Sequence, residues 1–186
     1  MPRYYEFHVA VQDSRPRVWR RFLLRTTSTF AHLHRAIQDS FGWNESHLWE
    51  FRLPTLRGRP IAGLPGGEEY NRPTPDARDV KLNSYFTGKR VVEWCEYHYD
   101  FGDDWVHDVK LVGVVSDTQA FRRRLLDGEW SGPPDDCGGV HGHARMVHFR
   151  RTGEDLAGDA PEELATWLGD WDVEADLDRI KVAFDR

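Results

Sequence analysis

The stretch that most constrains this chain is Tyr97-His98-Tyr99-Asp100-Phe101-Gly102-Asp103-Asp104-Trp105-Val106-His107-Asp108. Val91 to Tyr99 on one side and Val109 to Val115 on the other are rich in β-branched and aromatic residues, which suit a pleated, half-buried surface. Between them Gly102-Asp103-Asp104 is a short polar break carrying the glycine a tight turn needs. That pattern predicts a β-hairpin with a loop of about three residues. In this register Phe101 faces Trp105, Tyr99 faces His107, Tyr97 faces Val109 and Cys95 faces Leu111. Strand side chains alternate between faces, so all eight share one face. Their combined area exceeds what an exposed platform carries, and they are expected to be core. On the other face His98 is expected to oppose Asp108 as an exposed charge pair.

Upstream, Tyr4 to Gln12 alternates, with Tyr5, Phe7, Val9 and Val11 on one side and Glu6, His8 and Gln12 on the other, as a half-buried strand does. Turn formers Asp13 to Arg17 follow, then a second strand, Val18 to Arg25. Its better core face is Val18, Arg20, Phe22 and Leu24, although Trp19 on the opposite face also needs cover. Thr26-Thr27-Ser28-Thr29 offers caps for a helix carrying Phe30, Leu33, Ile37 and Phe41, which Gly42 ends. His47 to Leu53 reads as a third strand, and Pro54 to Asp79, dominated by glycine, proline and charge, as a long flexible surface excursion. Lys81 to Phe86 suits one helical turn. Thr118 to Leu126 is helix-compatible, and its Arg122-Arg123-Arg124 is most simply a solvated face, with a phosphate grip as the alternative. Gly128 to Gly142 reads as a loop and Ala144 to Arg151 as weakly helical. Pro161 opens a helix through Leu168, and Leu177, Ile180 and Phe184 line a last one. The order of elements predicts one α+β domain over residues 1–186. Its sheet is mixed or antiparallel, with a β-grasp-like β-β-α-β opening, a central hairpin and C-terminal helices.

Charge narrows the classes of partner. The net charge is -6, yet residues 1–60 carry ten Lys/Arg against five Asp/Glu, so +5, which leaves -11 for the rest. An acidic protein is a poor non-specific binder of phosphate backbones, and a basic N-terminal third leaves room for one local anionic partner. No apolar run reaches the roughly 20 residues of a membrane span, so no membrane partner is expected. No secretory signal is visible, and Cys95 and Cys137 are expected to be free thiols in a cytoplasmic protein.

Several stretches carry chemistry. Asp100, Asp103 and Asp104 lie within five residues, with His107 just beyond, and such carboxylates either hold a hard cation or serve as ordinary turn residues. Cys137, His141, His143 and His148 are zinc-ligand types, but the paired spacings of structural zinc sites are missing, and Gly138, Gly139 and Gly142 suit a tight loop close to other backbone. His34 and His47 are each read as a satisfied structural histidine. In the sharper alternative they converge with Asp100 and Asp136. Arg20 and Arg21 are candidates to pair with those aspartates, since a buried arginine needs a counter-group. Asp136 in particular is expected to pair with one of these arginines or to cap glycine-loop amides. No phosphate-binding loop, dinucleotide fingerprint, nucleophile elbow or His-Glu-x-x-His is present, which removes the commonest enzyme classes.

The motifs Pro16-Arg17-Val18-Trp19-Arg20-Arg21, Leu33-His34, Phe41-Gly42-Trp43 and Ser46-His47-Leu48-Trp49-Glu50-Phe51 recur in a fixed order with the hairpin stretch, Pro133-Pro134-Asp135-Asp136-Cys137-Gly138-Gly139 and Trp167-Leu168-Gly169. Together they resemble the plasmid Ri ORF-three-like family, which includes the TnpR passenger protein of a mycobacterial insertion element. The resemblance implies a compact α+β domain, often carried on mobile elements, and no established activity. Two functions are therefore weighed. One is a non-catalytic binding or accessory domain, gripping a protein or a nucleic acid in a groove lined by Trp19, Trp43, Tyr99 and Trp105. The other is a metal-assisted hydrolase or nuclease, with a divalent metal on Asp100, Asp103, Asp136 and nearby histidines.

Overall fold

Residues 1–54, 59–65, 74–87, 92–157 and 161–185 are described by a computed structural model. The chain opens with β1 (Arg3–Val11) and β2 (Trp19–Arg25), paired antiparallel with Phe7 opposite Phe22 and Val9 opposite Arg20. The core side of this pair is the expected one: Tyr5, Phe7, Val9, Phe22 and Leu24 are buried. Trp19 finds its cover on the other face by stacking on His8, with 5.1 Å between ring centroids.

Helix α1 (Phe30–Phe41) has the predicted limits because both ends are chemically marked. Thr29 is the N-cap, and its backbone N–H donates to Nδ1 of His32. Gly42 takes the left-handed conformation, φ 83°, and returns its N–H to the Gln38 carbonyl. The apolar side of α1 (Phe30, Leu33, Ile37, Phe41) lies on the sheet.

Then follow β3 (Trp49–Arg52), β4 (Pro60–Gly63) and α2 (Asn83–Phe86). The strand β4 falls inside the stretch whose composition predicts a surface excursion. At four residues beginning with proline it has no alternation to detect, yet Ile61 and Ala62 are buried in the core. Residues 55–58 and 66–73 of that excursion lie outside the described residues.

The central hairpin is β5 (Trp94–Tyr99) and β6 (Trp105–Ser116). Its register differs from the expected one by two residues: Tyr99 opposes Trp105, Tyr97 opposes His107 and Cys95 opposes Val109. The reason is a longer turn. Asp100 and Asp104 both adopt positive φ, 51° and 52°, which aspartate tolerates better than most residues, so the reversal takes in Asp100 to Asp104. A slip of two preserves the faces, and Cys95, Tyr97, Tyr99, Trp105, His107 and Val109 are buried as expected. Phe101, at 46% exposure, leaves the core for the tip. His98 does not meet Asp108; it faces Val106 across the strands and lies 3.1 Å from Glu96 instead.

Beyond the hairpin, the expected helix at Thr118 to Leu126 is replaced by the edge strand β7 (Arg123–Glu129), paired with β2. Nor is Arg122-Arg123-Arg124 simply a solvated face. The Arg123 guanidinium lies over the Phe184 ring and pairs with Asp39, while Arg124 lies over Phe121. The loop expected through Gly142 ends sooner, at α3 (Gly139–Thr152), followed by α4 (Pro161–Leu168) and α5 (Leu177–Phe184). Among the described residues the strands form one antiparallel sheet in the order β4-β3-β5-β6-β1-β2-β7. The hairpin thus separates β3 from the opening pair, and the fold is α+β.

Candidate functional site

Three loops meet at one end of the sheet, and local chemistry holds them there. The indole N–H of Trp43, after α1, donates to the Pro133 carbonyl at 2.8 Å. The backbone N–H of Asp100 donates to the Leu48 carbonyl at 2.9 Å. Oδ2 of Asp103 accepts the Gly138 backbone N–H at 2.9 Å, so the hairpin tip clasps the start of α3. Gly132 is obligatory in this packing: a Cβ there would stand 1.9 Å from the Phe41 carbonyl oxygen.

This convergence brings His47, Asp100 and Asp136 together, with one ligand atom from each lying within 4.8 Å of the others. Nδ1 of His47 is 3.7 Å from Oδ1 of Asp100, and Nε2 is 3.4 Å from Oδ1 of Asp136. Both separations exceed a good N–H···O hydrogen bond. Nε2 is closed to solvent and makes no hydrogen bond among the described residues. The two contacts use different ring nitrogens, and an ion takes only one. With one atom from each residue the trio spans up to 4.8 Å, against the ~3.4 Å between ligands of a tetrahedral ion with bonds near ~2.1 Å, so an ion would draw the three side chains inward. Asp135 stands beside it, accepting from the Tyr99 hydroxyl at 3.4 Å, and burial raises its carboxyl above the ordinary carboxylate range.

The other candidates go elsewhere. Asp136 pairs with neither arginine and its side chain is 74% exposed; the amide-capping task belongs to Asp103. Arg20 is fully buried without a carboxylate among the described residues. Its Nε donates to the Ser40 carbonyl at 2.7 Å, and its Nη1 to those of Trp19 at 2.7 Å and Glu129 at 3.1 Å. Burial lowers its pKa to about 10, which leaves it charged at neutral pH. Arg21 lies between Glu6 at 3.8 Å and Asp127 at 3.9 Å.

His34 does not reach His47. The Gln38 side-chain amide donates to the Tyr97 hydroxyl at 3.0 Å, the hydroxyl lies 2.7 Å from Nδ1 of His34, and Nε2 of His34 faces Glu45 at 3.5 Å. Burial first, and Arg35 second, drive the His34 pKa down to about 3. His107, wholly buried with Nδ1 3.2 Å from the Tyr97 carbonyl, is driven to about 3 by burial. The expected aromatic groove is closed, because Trp43, Tyr99 and Trp105 are core residues. Cys137 and Cys95 are free, as expected, and both are buried. Cys137, His141 and His143 do not gather: Sγ of Cys137 faces the Gly139 carbonyl, His141 is exposed, and His143 is buried against Trp171.

A different groove, of about 830 Å³, opens beside the trio between α1 and the β3–β4 edge. Leu48 and Phe101, the chain neighbours of His47 and Asp100, are on its wall with Trp49, and Arg35, Glu45, Asp76 and Arg78 give it charge. Neither this groove nor Asp135 was singled out in the sequence. Asp135 carried a signal, its place in the Pro-Pro-Asp-Asp run, whereas the groove depends on the unforeseen β4.

Comparison with known proteins places these features in a lineage. The family model described as plasmid pRiA4b ORF-3-like protein matches residues 3–179. An uncharacterised protein of Sinorhizobium fredii, y4hQ, is 32% identical over 170 residues, covering 90% of this chain and 81% of that one. The crystal structure of a protein of unknown function from Methanosarcina mazei Go1, MM3350, is similar with a TM-score of 0.78 at 27% identity, covering 94% of both chains.

Proposed function

Because the chain belongs to the plasmid pRiA4b ORF-3-like family, whose matched relatives bring no activity with them, we propose a function from the site itself: cation-dependent binding of an oxyanion-bearing ligand. A divalent cation is held by His47, Asp100 and Asp136 and contacts the ligand in the adjoining groove. The observation that carries this reading is the convergence of an imidazole and two carboxylates from three loops, with a buried imidazole nitrogen left unbonded. One nitrogen and two oxygens suit zinc or manganese better than calcium, which prefers an all-oxygen shell. Three protein ligands leave coordination positions open, which is what allows the ion to reach a ligand oxygen. This is the binding-domain reading relocated, with the groove beside α1 replacing the closed aromatic one.

Metal-assisted hydrolysis is the second reading, favoured by the same open coordination. Calorimetric titration of metal-free protein with zinc and manganese chlorides tests the first. One ion per chain is expected, abolished by His47→Ala and by Asp136→Asn without loss of folding. Undiminished binding in both variants would contradict it. Turnover of phosphate or carboxylate esters that requires the ion would move the assignment to the second reading.

A further inference from the structure

On the other side of α1 lies a second concavity, of about 490 Å³, whose charge is of one sign. Its lining includes Arg25, Arg122, Arg123 and His32, with Thr27 and Ser28, and contains no carboxylate. The fold puts the arginines together: the backbone N–H of Arg25, at the end of β2, donates to the Arg122 carbonyl, just before β7. Asp39 and Glu45 stand close by, but their charges are committed. Asp39 is shared between Arg123 and Arg35, and Glu45 holds Arg35, which also touches this concavity. Arg25 and Arg122 have no carboxylate within ion-pair distance among the described residues, so their charge is uncompensated.

We propose that this concavity is an anion site for a phosphate-bearing small molecule, its phosphate gripped by Arg25 and Arg122. Guanidinium forks match phosphate oxygens in pairs, and the hydroxyls of Thr27 and Ser28 are hydrogen-bond donors on the same wall. The backbone amides at the N-terminus of α1 are not available: the Phe30 and Ala31 N–H groups donate to the Val80 and Ala77 carbonyls. Recognition is therefore through side chains. His32 adds a donor, since its Nδ1 accepts from Thr29 and its hydrogen is left on Nε2. The His32 pKa is lowered by burial first; the positive charge of Lys81 and Arg122 at this wall lowers it further. The volume suits a ligand larger than phosphate alone.

The test uses inorganic phosphate on the full chain, followed by calorimetry and by melting temperature against chloride of matched ionic strength. Saturable binding above the chloride control is expected. The double variant Arg25→Gln/Arg122→Gln should weaken it about tenfold or more, the scale of a lost charge-assisted pair. The conservative Arg122→Lys should retain part of it. Both positions lack ion pairs, so the melting temperature in chloride should hold. Absence of saturation, or saturation untouched by the double variant, would overturn the assignment. His47→Ala should leave phosphate binding intact, which keeps this site separable from the cation site.

Discussion

Tyr97 shows how much one residue decides. Its ring is core, packed on Phe51 at 4.8 Å between centroids, while its hydroxyl lies in hydrogen-bond reach of both Gln38 and His34. Tyr97→Phe keeps the packing and strands two buried polar groups, so it should cost about 1–3 kcal/mol in denaturant unfolding. An unchanged unfolding midpoint would refute that accounting. Two buried histidines make a prediction about pH. His34 and His107 both sit near pKa 3 in the folded state, against 6.5 when exposed. Between those limits the unfolded chain binds more protons, so stability is complete above pH 6.5 and falls as pH drops towards 3. Each contributes a slope approaching about 1.4 kcal/mol per pH unit. Stability that stays flat from pH 7 to 5, or a slope unaltered in His107→Gln, would contradict this. At Asp136 the expectation reverses the one drawn from sequence: exposed and unpaired with arginine, Asp136→Asn should change stability by no more than about 0.5 kcal/mol.

At the scale of elements, the clasp between the hairpin tip and α3 is the contact most open to test. Asp103→Ala removes an acceptor for the Gly138 N–H and should cost about 1 kcal/mol. Gly132→Ala is harsher, because a methyl has no room beside the Phe41 carbonyl, and should cost about 3 kcal/mol or detach the Pro133 loop. Equal stability of the two variants would show that the loop is not seated as described. What was legible in the sequence follows the same divide. Caps and periodicity marked α1, and alternation marked β1 and the faces of the hairpin. The register escaped, because the positive-φ positions that lengthen the turn are Asp100 and Asp104, whereas Gly102 pointed to a shorter one. So did β7, where Arg123 and Arg124 lay their guanidinium groups over Phe184 and Phe121, so a strand reads as a charged helix. The site was legible as residues but not as partnerships. His47, Asp100 and Asp136 are all candidates, yet Arg20 is paired with a carboxylate in that reading, whereas the backbone carbonyls of Ser40, Trp19 and Glu129 hold it.

For the whole molecule, the fold gathers three loops at one end of the sheet around His47, Asp100 and Asp136, and assigns the basic N-terminal third to separate duties. Arg20 is interior, Arg21 is ion-paired, and Arg25 belongs to the second concavity. Arg3, Arg15 and Arg17 make no ion pair among the described residues, a handful of charges on an acidic protein, so any nucleic-acid binding should vanish in mobility shifts at a few hundred millimolar salt. Among the described residues no helix is long and apolar enough to cross a membrane. The central claim is the cation at the loop junction, and X-ray absorption at the zinc edge of protein loaded with one equivalent tests it most directly. The account predicts a first shell of nitrogen and oxygen at about 2.0–2.2 Å, with one imidazole contribution that disappears in His47→Ala. A sulfur shell at about 2.3 Å, which only Cys137 or Cys95 supplies from a thiolate, or a spectrum identical to zinc in buffer, would contradict it.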